Sequence, residues 1–167
     1  MRKKLSITLV FTLILCLFQT TPAFASTLKS NENTNSSTIE YFEDGSYIVT
    51  ELEQNINNGI SPLSTSKTGT KTITYYSSSN EALCALKLTA TFSYSGSTVS
   101  CTSTNCTKYS YDSAWSVEDV TTSHSNTSTT KASATANGTA VKRFLGIKIQ
   151  SAALSTTIYC DKNGNLS

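Results

Sequence analysis

Histidine is almost missing from this 167-residue chain: His124 is the single imidazole. It sits in "TTSHSNTS" with no orienting partner in the pattern, as general base catalysis would require. No G-x-S-x-G nucleophile motif accompanies the many serines. Glu118 and Asp119 are neighbours on a strand-like run and would point to opposite faces, so they cannot flank one bond. Asp112, in "YSYDSAW", suits a turn before Trp115 better than a metal. The common catalytic constellations are therefore excluded, and we expect no enzyme activity, no cofactor and no metal.

Long apolar runs are also scarce. The one such segment, Leu5 to Phe18, covers about 14 residues, short of the roughly 20 that span a bilayer as a helix. Arg2, Lys3 and Lys4 precede it and Ala23-Phe24-Ala25 follows it, the pattern of a secretory signal cleaved after Ala25. Cleavage removes three of the 13 Lys and Arg residues, leaving 10 against 11 Asp and Glu. A net charge near −1 favours neither nucleic acid nor an anionic membrane. The expected product is secreted and extracellular, monomeric, and without stable membrane insertion after cleavage.

What is abundant is hydroxyl: Ser and Thr make up 50 of the 142 residues after position 25. Residues 26–68 read as a flexible N-terminal arm, carrying a short β-hairpin at 38–52 around Asp44-Gly45, a dipeptide suited to a type I′ turn, and then a linker rich in Asn, Gly, Pro and Ser. From residue 69 to 167 period-two runs follow one another without a helical period. In "ALCALKLTATFSY", Cys84, Leu86, Leu88, Ala90, Phe92 and Tyr94 share one face while Lys87, Thr89 and Thr91 share the other. Threonine at the outer positions suits a pleated sheet, because β-branching favours extended backbone and the hydroxyl meets water. We expect an all-β fold, a single sandwich of about seven antiparallel strands, with strands near 70–76, 82–94, 97–101, 114–122, 130–137, 139–145 and 147–160. "TTSHSNTSTTK", 121–131, reads as a mobile hairpin loop.

Four cysteines, Cys84, Cys101, Cys106 and Cys160, remain after residue 25. An even number in an exported domain indicates disulfides. The spacing C-x4-C with no second pair does not fit zinc, and no C-x-x-C is present for redox work. If Ser95-Gly96 is a tight turn, position 90 faces 101. Cys84 then lies roughly 20 Å from Cys101 at about 3.3 Å per residue, outside bridging range. The same register brings Cys84 near residue 107. It favours Cys84–Cys106 with Cys101–Cys160, and Cys101–Cys106 with Cys84–Cys160 stays open.

Cys101, Trp115 and Cys160 have a spacing that partly resembles the Cys…Trp…Cys of an immunoglobulin domain. Ile158 stands where such a domain carries a tyrosine, and only seven residues follow Cys160, so the expected sandwich is Ig-like with altered topology. A broader likeness runs through "YFEDGSYIVTELE", "SKTGTKTITYYSSSNEALCALKLTATFSYSGSTVSCTST", "YDSAWSV", "FLGIKI" and "TTIYCDKNGNLS". These segments resemble a family of small secreted, uncharacterised β-rich proteins of Gram-positive bacteria. The resemblance implies a Cys101–Cys160 bridge. It places a tryptophan at the position of Cys84, which implies that Cys84 and Cys106 form an added second bridge.

Tyr75, Tyr76, Tyr109 and Tyr111 are candidates for a binding surface, since tyrosine joins apolar area to a polar tip. Tyr41 and Tyr47 could instead help the arm add a strand to a partner's sheet edge. The expected role is a non-catalytic binding or cell-surface structural module with a protein or cell-wall glycan partner. The competing expectation is a bacteriocin-like or toxin-like antagonist with 26–66 as a pro-segment.

Overall fold

The computed structural model describes residues 36–54, 65–128 and 130–167. The expected signal peptide, the leader before Ser36 and most of the linker lie outside the described residues. Within them the protein is all-β. Eight strands occur in order: β1 (Ser36–Tyr41), β2 (Tyr47–Gln54), β3 (Thr65–Tyr76), β4 (Ala82–Tyr94), β5 (Val99–Ser110), β6 (Trp115–Ser128), β7 (Lys131–Phe144) and β8 (Ile147–Asp161). They form a five-stranded sheet, β1-β2-β3-β4-β5, and a three-stranded sheet, β6-β7-β8. Each strand pairs antiparallel with its sequence neighbour, so both sheets are meanders rather than Greek keys.

The sheets pack face to face, and alternation decides which side chains meet. Ile48, Leu52, Ile73, Tyr75, Leu86, Leu88, Phe92 and Val99 come from one sheet, and Trp115, Val117, Leu154 and Ile158 from the other. Ala132, Ala134, Ala136 and Ala140 line the inner face of β7, where small side chains leave room for the large ones of β4. On the outer faces, threonines pair across strands: Thr68 with Thr91 at 2.9 Å and Thr135 with Thr157 at 2.9 Å. Lys71, on an inner position, donates to the Thr157 carbonyl at 2.9 Å and so ties the two sheets together. Burial lowers its pKa.

Four expectations change. The hairpin of 38–52 forms, but β2 pairs with β3 over its full length and buries Ile48 and Leu52, so it is part of the sheet and not a separate arm. Its turn is not type I′, because only Gly45 has positive φ (80°). The Asp44 side chain accepts from the Ser46 backbone N–H at 3.0 Å, which holds a longer loop with glycine at the left-handed position. The strands expected at 130–137 and 139–145 are one, β7. Gly138 stands inside it because a Cβ there would come within 3.0 Å of Val117. Finally, 121–128 continues strand β6 instead of forming a loop.

The β4–β5 register also departs from expectation. The connection is Ser95–Thr98, closed by Ser95 N–H to the Thr98 carbonyl at 3.0 Å, so Tyr94 faces Val99. A bulge between Thr91 and Phe92 leaves Thr102 as an extra residue on β5. The longer turn shifts the pairing by two residues and the bulge by one more, and Cys84 therefore faces Ser110.

After β8 the tail turns back. The Asp161 carboxylate accepts from Asn163 N–H at 2.8 Å and Asn165 N–H at 2.9 Å, Cys160 bridges to Leu166, and Leu166 is buried beside Gly69. The seven residues too short for an ordinary strand instead close one end of the sandwich.

Candidate binding face

Adjacent residues on a strand face opposite ways, so Tyr75 and Tyr76 must part company. Tyr75 points inward with 2% exposure. Its ring meets Trp115 at 5.1 Å and Phe42 at 5.9 Å, and its hydroxyl donates to Ser46 Oγ at 2.9 Å. It belongs to the core and is withdrawn from the binding surface. Tyr76 points out, and register supplies its neighbours: Tyr41 faces Tyr47, and Tyr47 faces Tyr76.

The outcome is a tyrosine row across the outer face of the five-stranded sheet. Tyr41 and Tyr47 lie 5.4 Å apart, Tyr47 and Tyr76 stack at 4.9 Å, and Tyr109 and Tyr111 stack at 6.4 Å. Tyr111 stands near enough to Tyr76 for its charge to act on the Tyr76 phenol. Desolvation by burial, then Glu51, Tyr47 and Tyr111, raises the Tyr76 phenol above its ordinary value, which keeps it a neutral donor. Tyr47 Oη donates to Asn80 Oδ1 at 3.2 Å, where Asn80 sits in the β3–β4 turn at φ 66°. Tyr41, Tyr109 and Tyr111 are exposed, while the facing rings of Tyr47 and Tyr76 are spent on each other. Free ring surface is thus concentrated at the two ends of the row. Sequence spacing pointed to Tyr76, Tyr109 and Tyr111. Tyr41 and Tyr47 join them only because β1 and β2 lie in the same sheet.

At the same end of the molecule a cleft of about 260 Å³ opens between the sheets. Tyr75, Leu83 and Trp115 line it with Asp44, Glu81, Asp112, Lys142 and Gln150. Gln150 Nε2 donates to Asp44 Oδ2 at 3.1 Å. Hydrogen bonds from Ser46 hold the Asp44 carboxyl below its usual pKa. Asp112 Oδ1 accepts from Ala114 N–H at 2.8 Å, the turn role its sequence context indicated. These carboxylates shape turns. His124 lies on β6, exposed. Glu118 is lowered chiefly by its hydrogen bonds from Arg143, and Asp119 is exposed at a bulge with φ 51°. Among the described residues no group of three His, Cys, Asp or Glu side chains could hold a metal.

All four described cysteines are thiols here. Cys106 faces Leu88, four positions along β4 from Cys84, or roughly 13 Å. A Cys84–Cys106 bridge does not fit that register, and the sequence-based pairing is corrected. Burial pushes the Cys84 and Cys160 thiols up to about 11 and raises Cys106. Cys101 and Cys160 both belong to the core at one end of the sandwich, where Gly96 N–H donates to the Lys162 carbonyl at 2.9 Å. Trp115 does not sit on them. It faces Lys142 on β7 whereas Cys160 faces Ala132, ten positions and roughly 33 Å away.

No protein-family model, curated protein or solved structure matches the chain.

Proposed function

We propose that this protein is a secreted, non-catalytic β-sandwich module that binds a cell-wall glycan through the tyrosine row. The observation that carries the reading is that row: outward-facing aromatic rings from β1, β2, β3 and the β5 end, exposed at Tyr41, Tyr109 and Tyr111 and held in line by sheet register on one outer face. A sugar ring offers C–H faces to the free tyrosine surfaces at the ends of the row, and the phenol hydroxyls between them meet its hydroxyls. A surface protein would use the same rings as anchors. The basic n-region, the apolar segment and Ala23-Phe24-Ala25 support export with cleavage after Ala25. The segment likeness supports membership of the small secreted proteins of Gram-positive bacteria. Export in turn supports a Cys101–Cys160 bridge joining the sheets, the one element of an Ig-like design that the spacing retains.

The pairing of β2 with β3 favours this reading over a toxin with 26–66 as a pro-segment, since removing β2 would uncover Ile48 and Leu52. Retention of the secreted product on purified cell walls, on soluble glycans and on surface-protein extracts tests it. We expect retention on walls and a drop of at least about tenfold in Tyr76→Ala/Tyr111→Ala, on the scale of truncating two aromatic anchors. Equal retention of the variant, or none of the parent, sinks the proposal.

A further inference from the structure

The β7–β8 hairpin ends in Phe144, Leu145, Gly146 and Ile147, beyond the cleft. Phe144 is 65% exposed, Leu145 87%, Ile147 69% and Ile149 56%. Exposed aliphatic side chains scattered singly need no explanation, but these are contiguous on one projecting tip. The turn itself does not ask for them. Leu145 and Gly146 have φ of 49° and 81°, the two left-handed positions of a type I′ turn, for which Asn, Asp or Gly is the ordinary choice. Leucine there is strained and in water, so folding alone does not account for it.

The tip is also charged asymmetrically. Phe144 faces Ile147, while Arg143 faces Lys148 on the next pair, which puts apolar and cationic side chains on opposite sides of the ribbon. Arg143 is held by Glu118 through two 2.8 Å bonds and donates to the Gly146 carbonyl at 3.0 Å, which keeps the hairpin rigid. Lys148 lies near enough to help lower Glu118, and Lys142 turns inward over Trp115 at 5.9 Å. Between Asp119 and Asp161 the sequence has no Asp or Glu, but it has Lys131, Lys142, Arg143 and Lys148. With Glu118, Asp119 and Asp161 counted, the second sheet carries a net charge of only about +1, and its exposed cation at the tip that no carboxylate holds by a hydrogen bond is Lys148.

We propose that the β7–β8 hairpin is a membrane-docking wedge: Phe144, Leu145, Ile147 and Ile149 enter the acyl boundary of a bilayer while Lys148 meets anionic headgroups. A narrow tip with apolar groups at its end and around one side suits a fluid apolar solvent. A flat protein interface would need those groups on one plane. Lys148, exposed beside it, supplies the positive charge that favours an anionic surface. This departs from the sequence expectation of a chain without membrane contact, and it does not depend on the tyrosine row.

A tryptophan introduced in the full chain by Leu145→Trp reports the tip directly, whatever the apolar segment Leu5 to Phe18 does. With phosphatidylcholine–phosphatidylglycerol vesicles carrying brominated acyl chains, the introduced indole should shift to the blue and be quenched. Buried Trp115 in the unsubstituted chain should not change. Adding Lys148→Gln should raise the anionic lipid needed for half-maximal quenching by about fivefold. Adding Tyr76→Ala should leave quenching unaltered, which separates this inference from the glycan reading. Ile147→Trp provides a second reporter if the first variant folds poorly. An unquenched indole, equal quenching by purely phosphatidylcholine vesicles, or a blue-shifted indole without lipid in a chain that sediments as a dimer would overturn the proposal.

Discussion

The two ends of the sandwich are built on opposite terms. At one, the C-terminal tail folds in: Leu166 is buried beside Gly69, Gly164 lies against the Tyr94 ring, and Asp161 gathers the turn's N–H groups. At the other, the cleft stays open, the tyrosine row faces out, and a leucine occupies a left-handed turn position. A closed end contributes stability and little recognition. The open end gives up burial to present aromatic and apolar groups, and that is where both binding proposals fall.

The largest effect should separate two adjacent residues at the open end. Tyr75→Ala removes a ring buried against Trp115 and should cost about 3–5 kcal/mol in denaturant unfolding. Tyr76→Ala, on the outer face, should cost below about 1 kcal/mol. Similar losses for both would erase the distinction between core and binding face.

Next comes the closed end in its oxidised form. If Cys101 and Cys160 are bridged in the secreted product, reductant should lower stability by about 3–4 kcal/mol. Cys101→Ser should abolish that response, and Cys84→Ser or Cys106→Ser should preserve it. Peptide mapping that joins Cys84 to Cys106 would overturn the observed β4–β5 register.

Gly164→Ala should cost about 2 kcal/mol in thermal unfolding, because Gly164 sits at φ 83° and a Cβ there runs into the Tyr94 ring. Gly146→Ala, also at positive φ but with open space around it, should cost less.

The smallest effect is acid loosening of the tail. Hydrogen bonds from Asn165, Asn163 and Gly164 lower the Asp161 pKa in the folded protein. Its contribution is present above the unfolded value near 3.8 and fades as pH falls through the lower folded value. Protection of the Asn163 and Asn165 amides relative to their intrinsic exchange should therefore fall below about pH 3.8, while the parent and Asp161→Asn should converge there. A tail equally protected at low and neutral pH would show that packing of Leu166 closes this end unaided.

Alternation along each strand was legible from the residues alone. The inner set Cys84, Leu86, Leu88, Ala90 and Phe92 follows from period two, which is local and survives errors in strand boundaries. The turn at Gly146 and the role of Asp112 were legible for the same reason. Gly138 misled, since glycine marks a turn and a close approach alike, and only Val117 on the neighbouring strand distinguishes them. Tyr41 and Tyr47 could not be joined to Tyr76 without knowing that β2 lies beside β3.

Composition and period by themselves determined an all-β chain with threonine outside and aliphatic residues inside. Only the tertiary structure decided which cysteines meet and which tyrosines share a surface. Those depend on register, and register is set by turn lengths and bulges that add residues one at a time: Ser95–Thr98 and Thr102 moved Cys84 from residue 107 to Ser110. Side-chain alternation is fixed within a strand, whereas the partner across a strand is fixed by everything between the two.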